Sequence, residues 1–406
     1  MARQVRTTRR AAVIGGALAL GLGFQAGHAA ERGPVKIGVL GDLSSAYSNV
    51  GGRHLVEAVK MAVEDFGGSV LGQPIEILSA DTQLKPDVAS TTARRWFDEG
   101  VDVLVDIPST NMTFAVTPLA EDRKRVVLAT SAASSDITGA KCSPVVAHWT
   151  YDTYANARSA GAVLLEQGAK NWFILNQDTA TGVGVERDIT ELVTQKGGKI
   201  VGSVKAPLET TDFSSYLLRA QSAKPDIIAF APAGAAGVNA IKQANEFGLK
   251  QGGTRFVSVF MMPDDVKSLG LEAAQGLIYA TAFDASLNEQ TKAFAERFRQ
   301  RAGKVPNMNM VGSYSAVLHY LKAVQAVGTT NSDKVMPKMR EMPVRDVFTQ
   351  DGELRIDGRM AHSMFVMQVK SPAESKDEWD LAKVIATVPA SVAVRPLNAG
   401  GCPLVK

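Results

Sequence analysis

The stretch VKIGVLGDLSSAYSNVGGRHLVEAVKMAVEDFGG, residues 35–68, determines the fold class. It begins with a short apolar strand, Val35–Leu40, and passes through a polar loop into an amphipathic helix predicted over Val50–Phe66. The same order follows downstream, with strands predicted at Pro74–Ser79 and Val101–Ile107 and helices between them. Because strands that alternate with helices form parallel sheets, the sequence predicts an α/β protein with doubly wound parallel sheets.

A second run of alternating strands and helices begins near Trp149, so we expect two similar lobes joined by several crossing strands. The predicted N-terminal lobe comprises residues 30–149 and 283–342, and the C-terminal lobe comprises residues 150–282 and 343–387. The last part of the chain predicts a hairpin between Gly352–Arg355 and Ser363–Lys370. Residues 388–406 are expected to form a C-terminal tail.

The first 29 residues have the layout of a secretory signal peptide. A basic segment precedes the apolar run Ala11–Phe24, which is too short for a stable membrane span, and small residues follow to Ala29. Four of the 44 basic residues and none of the 41 acidic residues fall in this segment, so the mature chain would be nearly neutral. A neutral chain has no electrostatic reason to bind nucleic acid or a membrane surface. We therefore expect export to the periplasm, by the Sec or the twin-arginine route.

The chain has two cysteines, Cys142 and Cys402, in loops flanked by proline or glycine. In an oxidising compartment a disulfide between them is expected, and it would connect the C-terminal tail to the middle of the chain. The alternative is a pair of buried free thiols.

Motifs of catalysis are not found in the sequence. It contains no Gly-x-Ser-x-Gly elbow, no phosphate-binding loop ending in Lys-Ser/Thr, and no zinc-ligand spacing. His54 and Glu57, one helical turn apart, fit a solvated helix face better than a metal site. We therefore expect a protein that is not an enzyme and needs no cofactor.

Polar loops follow two neighbouring predicted strands. Pro108-Ser109-Thr110-Asn111 comes after Val101–Ile107, and Ser131-Ala132-Ala133-Ser134 comes after Val126–Thr130. Ligands of open α/β sheets bind at the carboxyl ends of strands, where hydroxyl and backbone N–H groups can hold a carboxylate. Helix capping explains one such loop equally well, whereas two successive loops favour a binding site.

The sequence resembles the periplasmic binding proteins of branched-chain amino acid ABC transporters, the Leu/Ile/Val-binding family. The resemblance rests on the opening stretch and on ordered later matches: ILSADTQLKPDVASTTARRW, VLATSAASSDIT, NQDTATGVGVERD, TTDFSSYLLRAQSAKPDIIAF and QANEFGL. It implies a type I periplasmic binding protein, with two lobes, three crossover strands and a ligand in the cleft between them. It further implies a monomeric solute-binding subunit that delivers a small organic acid or amino acid to the permease subunits of an importer.

The resemblance also implies site residues. The ligand carboxylate would be held by Ser109, Thr110, Ser131, Ala132 and Ala133, although family members usually have a hydroxyl residue at the position of Ala133. The walls implied for the ligand site, by the resemblance or by their loops, are Tyr47, Val50, Trp149, Asp178, Thr181, Ala233, Phe260 and Met261.

The ammonium site of the family departs from its usual pattern here. Amino acid binders place an acid after the strand that matches Arg255–Val259, where this chain has Phe260-Met261-Met262. A buried ammonium without a carboxylate partner costs several kcal/mol, although Asp178 or Asp106 could supply the charge. The sequence thus favours an aromatic, 2-oxo or branched-chain acid and leaves an amino acid open. A ligand-sensing subunit of a signalling system and an exported enzyme are the alternative functions.

Overall fold

The structure is a computed structural model that describes residues 33–406 together with residues 1, 2, 4, 7 and 8. Apart from those five positions, the predicted signal peptide at residues 1–29 lies outside the described residues. Within the described part of the chain, no helix combines the length and apolar character needed to cross a membrane.

The first sheet has six strands in the spatial order β2-β3-β1-β4-β5-β6, all parallel except for the antiparallel pair β2 and β3. The strands are β1 (Val35–Gly41), β2 (Ser69–Val70), β3 (Gln73–Asp81), β4 (Val103–Asp106), β5 (Val126–Ala129) and β6 (Val146–His148). Strand β1 is central, and both of its faces are covered, as parallel sheets require. This explains the uninterrupted apolar run from Ile37 to Gly41.

The second sheet has seven strands in the order β15-β14-β11-β10-β9-β7-β8. The remaining strands are β7 (Asn171–Gln177), β8 (Lys199–Ala206), β9 (Ile227–Phe230), β10 (Arg255–Ser258), β11 (Ile278–Thr281), β12 (Glu353–Leu354), β13 (Met360–Ala361), β14 (Met364–Val369) and β15 (Ala382–Val388). Strands β7 to β11 are parallel, and β14 runs antiparallel to both β11 and β15.

Helices cover both sheets. They are α1 (Gly52–Phe66), α2 (Pro86–Asp98), α3 (Thr110–Asp122), α4 (Thr153–Asn156), α5 (Ala162–Glu166), α6 (Ala180–Gln195), α7 (Ser214–Ala223), α8 (Gly234–Glu246), α9 (Pro263–Leu269), α10 (Leu271–Ala274), α11 (Glu289–Ala302), α12 (Met308–Val327), α13 (Ser332–Glu341) and α14 (Ala390–Ala393). Between α4 and α5 the helix has a π-type turn at Ala157–Gly161.

The chain passes between the two lobes three times. It leaves the first sheet after His148, returns after β11 so that α12 can pack along α1, and re-enters the second sheet with β14. The predicted α/β fold, with two doubly wound lobes joined by crossover strands, is confirmed.

The predicted hairpin between Gly352–Arg355 and Ser363–Lys370 is wrong. Strand β12 pairs instead with β13, because Gly358, at φ 86°, allows a tight turn just before β13. Strand β14 is a buried strand of the second sheet between β11 and β15.

The predicted disulfide is confirmed. Cys142 and Cys402 are bonded, with their Cα atoms 5.6 Å apart and 260 positions apart in the sequence. The tail has a second attachment, because the Arg395 guanidinium donates to the Ser135 carbonyl at 2.8 Å. The end of the chain is therefore fixed beside the segment that follows β5.

Candidate functional site

A pocket lies between the lobes at the carboxyl ends of strands from both sheets. Its lining comprises Tyr47, Val50, Pro108, Ser131, Ala133, Tyr151, Asn176, Gln177, Thr179, Thr181, Gly182, Ala231, Ala233 and Phe260. About 30 Å³ of the pocket is open to the centres of water molecules. One buried water needs roughly 10–15 Å³ by the same measure. The pocket is thus small in this arrangement of the lobes.

Two side-chain contacts join the lobes across this pocket. The hydroxyl oxygens of Thr110 and Thr181 are 2.8 Å apart, and the Tyr47 hydroxyl donates to Oε1 of Gln177 at 3.2 Å. Each contact joins a residue of the first lobe to a residue at the end of β7 or the start of α6. The structure therefore has the cleft in a closed arrangement.

Asp42 positions the tyrosine of the first-lobe loop. Its buried carboxylate accepts hydrogen bonds from the backbone N–H and hydroxyl of Ser45 and from the backbone N–H of Tyr47. Burial, followed by the charge of Asp42, raises the pKa of Tyr47. The Tyr47 hydroxyl therefore stays protonated and can act as a hydrogen-bond donor toward the pocket.

The two polar loops named from the sequence lie side by side because they follow the paired strands β4 and β5, and Asp106 links them. Its backbone carbonyl accepts from the N–H groups of both Thr130 and Ser131, at 3.2 and 3.3 Å. Asp106 and Ile107 have φ values of 81° and 55°, an unfavourable conformation for residues other than glycine. Such strain persists where the surroundings enforce it, and it is concentrated at functional sites.

The second lobe contributes the start of α6. Thr179 caps this helix, since its hydroxyl accepts from the Gly182 N–H at 3.1 Å. The Asn176 amide donates to the Gly182 carbonyl at 2.7 Å. A Cβ at position 182 would lie 1.9 Å from the Gln177 carbonyl oxygen, so only glycine fits there.

Three helices begin at the pocket. Helix α3 begins after Pro108 and Ser109, α6 begins after Thr179, and α8 begins after Ala233. The first N–H groups of each helix have no partner within the helix, and together they carry partial positive charge. Among the lining residues, all of them in the described part of the chain, none is formally charged. This combination suits an anion held by hydroxyl and N–H groups.

Many of the residues named from the sequence come together here. Those in the lining are Tyr47, Val50, Ser131, Ala133, Thr181, Ala233 and Phe260. Thr110 adjoins the pocket through its contact with Thr181. Ala132 is buried in the first lobe, outside the lining. Ser109 is the N-cap residue of α3, and its carbonyl accepts from the Thr113 N–H and hydroxyl.

Three expected wall residues lie outside the pocket lining. Trp149 belongs to the protein core, where its indole N–H donates to the Ser315 hydroxyl at 3.1 Å. Met261 points into the apolar core of the second lobe. Asp178 is exposed, so it does not supply a buried charge to the pocket. Of the segment Phe260-Met261-Met262, Phe260 is the residue in the pocket lining.

The lining also contains Pro108, from the first of the two polar loops, and residues to which the sequence assigned no role in the site. The latter are Tyr151, Asn176, Gln177, Thr179, Gly182 and Ala231. Asn176 and Gln177 end β7, so the rule that ligands bind at strand ends would have found them had it been applied to the second lobe. Tyr151 lies in the first crossing between the lobes, where its ring is 6.0 Å from that of Phe260.

Within the residues that the structure describes, no group of three or more His, Cys, Asp or Glu side chains is arranged to hold a metal ion. Glu57, which lies one helical turn from His54, accepts a hydrogen bond from Arg301 at 2.6 Å. Hydroxyl, amide and aromatic groups are therefore what the pocket offers to a ligand.

Residues 34–377 match the family model of the periplasmic binding proteins. A periplasmic binding protein from Burkholderia mallei is 40% identical, with a TM-score of 0.89 over 92% of this chain and 99% of that one. A branched-chain amino acid ABC transporter periplasmic ligand-binding protein from Burkholderia xenovorans LB400 is 39% identical, with a TM-score of 0.83 over 92% and 100%.

A solute-binding protein of an ABC transporter from Rhodopseudomonas palustris BisB5, solved in complex with 3,4-dihydroxybenzoic acid, is 24% identical. Its TM-score is 0.80 over 88% of this chain and 98% of that one. The resemblance drawn from the sequence is thus confirmed: the chain belongs to the periplasmic binding protein family of ABC transporters.

Proposed function

We propose that this protein captures a small carboxylic acid with an apolar or aromatic body in the cleft between its lobes. The ligand carboxylate is bound by Thr181, Thr110 and the segment Ser131–Ala133, and Tyr47, Tyr151 and Phe260 form the walls. In this proposal the protein works in the periplasm and delivers its ligand to a membrane permease. The observation that carries the proposal is the meeting of three helix N-termini at a pocket whose lining has no charged side chain.

The polar groups around the pocket match a carboxylate. Thr110 and Thr181 bring two hydroxyl groups to one point, and the first N–H groups of α6 follow directly after Thr179. A hydrogen bond to a charged group contributes about 1.5–3 kcal/mol, and the helix N-terminus adds a favourable field.

The ring-bearing walls support an aromatic or branched body. Tyr151 and Phe260 are buried, Tyr47 is half-buried, and all three line the same pocket. The relatives are consistent with a branched aliphatic or an aromatic body. One is named for branched-chain amino acids, and another was solved with 3,4-dihydroxybenzoic acid. Phe260 replaces the acid that would bind an ammonium, which favours an acid without an amino group.

Calorimetric titration tests the proposal. The unmodified protein should bind at least one of benzoate, 4-hydroxybenzoate, 4-methyl-2-oxopentanoate and 3-methylbutanoate more tightly than it binds leucine or phenylalanine. Thr181→Val should weaken that acid's binding by roughly tenfold to a hundredfold, because one hydrogen bond to the carboxylate is lost.

Thr194→Val is the matched control, since Thr194 is an exposed threonine of the same helix. It should leave the dissociation constant unchanged. Binding of amino acids alone, or equal effects of the two substitutions, would count against a carboxylate held at the start of α6.

A further inference from the structure

A buried carboxyl group lies directly behind the pocket lining. Asp106 has no exposed surface, and among the described residues neither of its carboxyl oxygens has a hydrogen-bond partner in good geometry. One of these oxygens would lie 3.1 Å from a Cβ at Gly41 and 3.3 Å from one at Gly51. Buried carboxyl groups are normally paired or hydrogen-bonded. The Asp106 carboxyl group can therefore still accept a hydrogen bond from a bound ligand.

Other polar groups around Asp106 are also unpartnered. The Ser131 hydroxyl and both polar atoms of the Asn309 side chain are buried, and no hydrogen bond from the described residues reaches them in good geometry. Ser131 lines the pocket and is close enough to Asp106 to lower its pKa in part. The Tyr151 hydroxyl, which donates to the Ser131 carbonyl at 3.1 Å, adjoins Asn309 and Asp106.

We propose that Asp106, Ser131 and Asn309 form a polar subsite of the ligand pocket that binds a hydroxyl group of the ligand. The inference rests on the proposed function and narrows it, from small carboxylic acids in general to hydroxylated ones. Asp106 accepts the hydrogen bond of the ligand hydroxyl, and Ser131 or the Asn309 amide donates to the hydroxyl oxygen.

The types of unpartnered atom select this chemistry. Asp106 provides acceptors, the Asn309 amide provides one donor group and one acceptor, and the Ser131 hydroxyl can do either. A hydroxyl group both donates and accepts, so it satisfies both types at once. An ammonium only donates, and it would leave the Asn309 amide nitrogen without a partner. A methyl group or a ring hydrogen would leave all of these groups unsatisfied, which is costly in a buried site.

The charge of the site is consistent with a neutral partner. Burial raises the pKa of Asp106 to about 7, and the neighbouring charge of Asp42 acts in the same direction. At neutral pH, Asp106 is therefore near the midpoint of its titration and is not a permanent charge that must be neutralised.

The left-handed backbone at Asp106 and Ile107 turns the chain at this point, and the fold maintains this strain beside the pocket.

The test compares acids that differ by one hydroxyl group. Titration calorimetry at pH 7 would use benzoate with 3- and 4-hydroxybenzoate, and 3-methylbutanoate with 3-hydroxy-3-methylbutanoate. In at least one pair, the unmodified protein should bind the hydroxylated acid about tenfold to a hundredfold more tightly than its parent. Asp106→Asn and Asn309→Leu should each lower this affinity ratio to within about threefold of one.

Asp265→Asn is the matched control. Asp265 is another buried acid whose pKa burial raises to about 7, but it lies in α9 and accepts from the Met262 N–H. This substitution should leave the affinity ratio unchanged. Circular dichroism and thermal melting of each variant establish that it is folded, and two subsite variants keep the test decisive if one of them does not fold.

The possible failures are distinguishable. If parent acids bind as tightly as their hydroxylated partners, the subsite is wrong while the acid-binding function stands, and Asp106 has only a structural role. If only amino acids bind, and Asp106→Asn abolishes that binding, Asp106 is an ammonium partner and the hydroxyl subsite is overturned. If none of these acids binds, the proposed function and the subsite both fail.

Discussion

Replacing Arg359 by methionine should lower the free energy of unfolding by about 3–5 kcal/mol, because it leaves Asp152 buried without a counter-charge. Both side chains are almost completely buried, and Nε of Arg359 lies 3.1 Å from the Asp152 carboxylate. The Arg359 guanidinium also donates to the carbonyls of His148 and Trp149, at 3.2 and 2.9 Å. The ion pair thus connects two of the segments that cross between the lobes.

The pKa values around this pair agree with its role. Burial alone would raise the pKa of Asp152, yet the charge of Arg359 holds it below its usual value. Burial, followed by the charge of Arg359, lowers the pKa of His148 to about 4. Asp152 is therefore ionised and His148 is neutral at pH 7, so the Asp152 carboxylate carries the negative charge beside Arg359 in this pair.

Urea unfolding of four proteins measures this coupling: the unmodified protein, Arg359→Met, Asp152→Asn and the double variant. The double variant should be more stable than the sum of the two single losses predicts, since it contains no unpaired buried charge. A loss below 1 kcal/mol for Arg359→Met, or strictly additive losses, would show that the pair does not stabilise the crossing segments.

Removing the disulfide should lower the free energy of unfolding by about 2–5 kcal/mol, toward the upper part of that range. The bond closes a loop of 260 sequence positions, and longer loops restrict the unfolded chain more strongly. The double variant Cys142→Ser/Cys402→Ser should therefore unfold at a lower guanidinium concentration than the unmodified protein.

A reducing agent provides the control for this prediction. Reduction of the unmodified protein should reproduce the loss, whereas the same agent should leave the double serine variant unchanged. Equal unfolding midpoints for the oxidised protein and the variant would mean that the contact of Arg395 with Ser135 is sufficient to hold the tail.

The fold could be predicted from local patterns because its sheets are mainly parallel and buried. Strands such as β5 and β9 are continuous apolar runs of buried residues. The strands within Gly352–Lys370 lie where the sequence predicts them, but their pairing differs, because the partners of short strands depend on tertiary contacts and not on composition alone. Here β14 pairs with β11, which lies far away in the sequence.

The site could be predicted in part, for a related reason. The loops after β4 and β5 follow each other in the sequence, so their shared edge of the sheet was evident, and Ser131 and Ala133 do line the pocket. Aromatic residues were less predictable, because a tryptophan in a crossing segment can face either the cleft or the core. Trp149 faces the core and Tyr151, two positions later, faces the pocket.

A crystal structure of the protein with the tightest-binding acid of the calorimetric series tests the central claim most directly. We expect the ligand between the lobes, with a carboxylate oxygen about 3 Å from the hydroxyl or backbone nitrogen of Thr181 and its body against Phe260. A ligand bound outside this cleft, or one whose carboxylate lies away from the start of α6, would contradict the account.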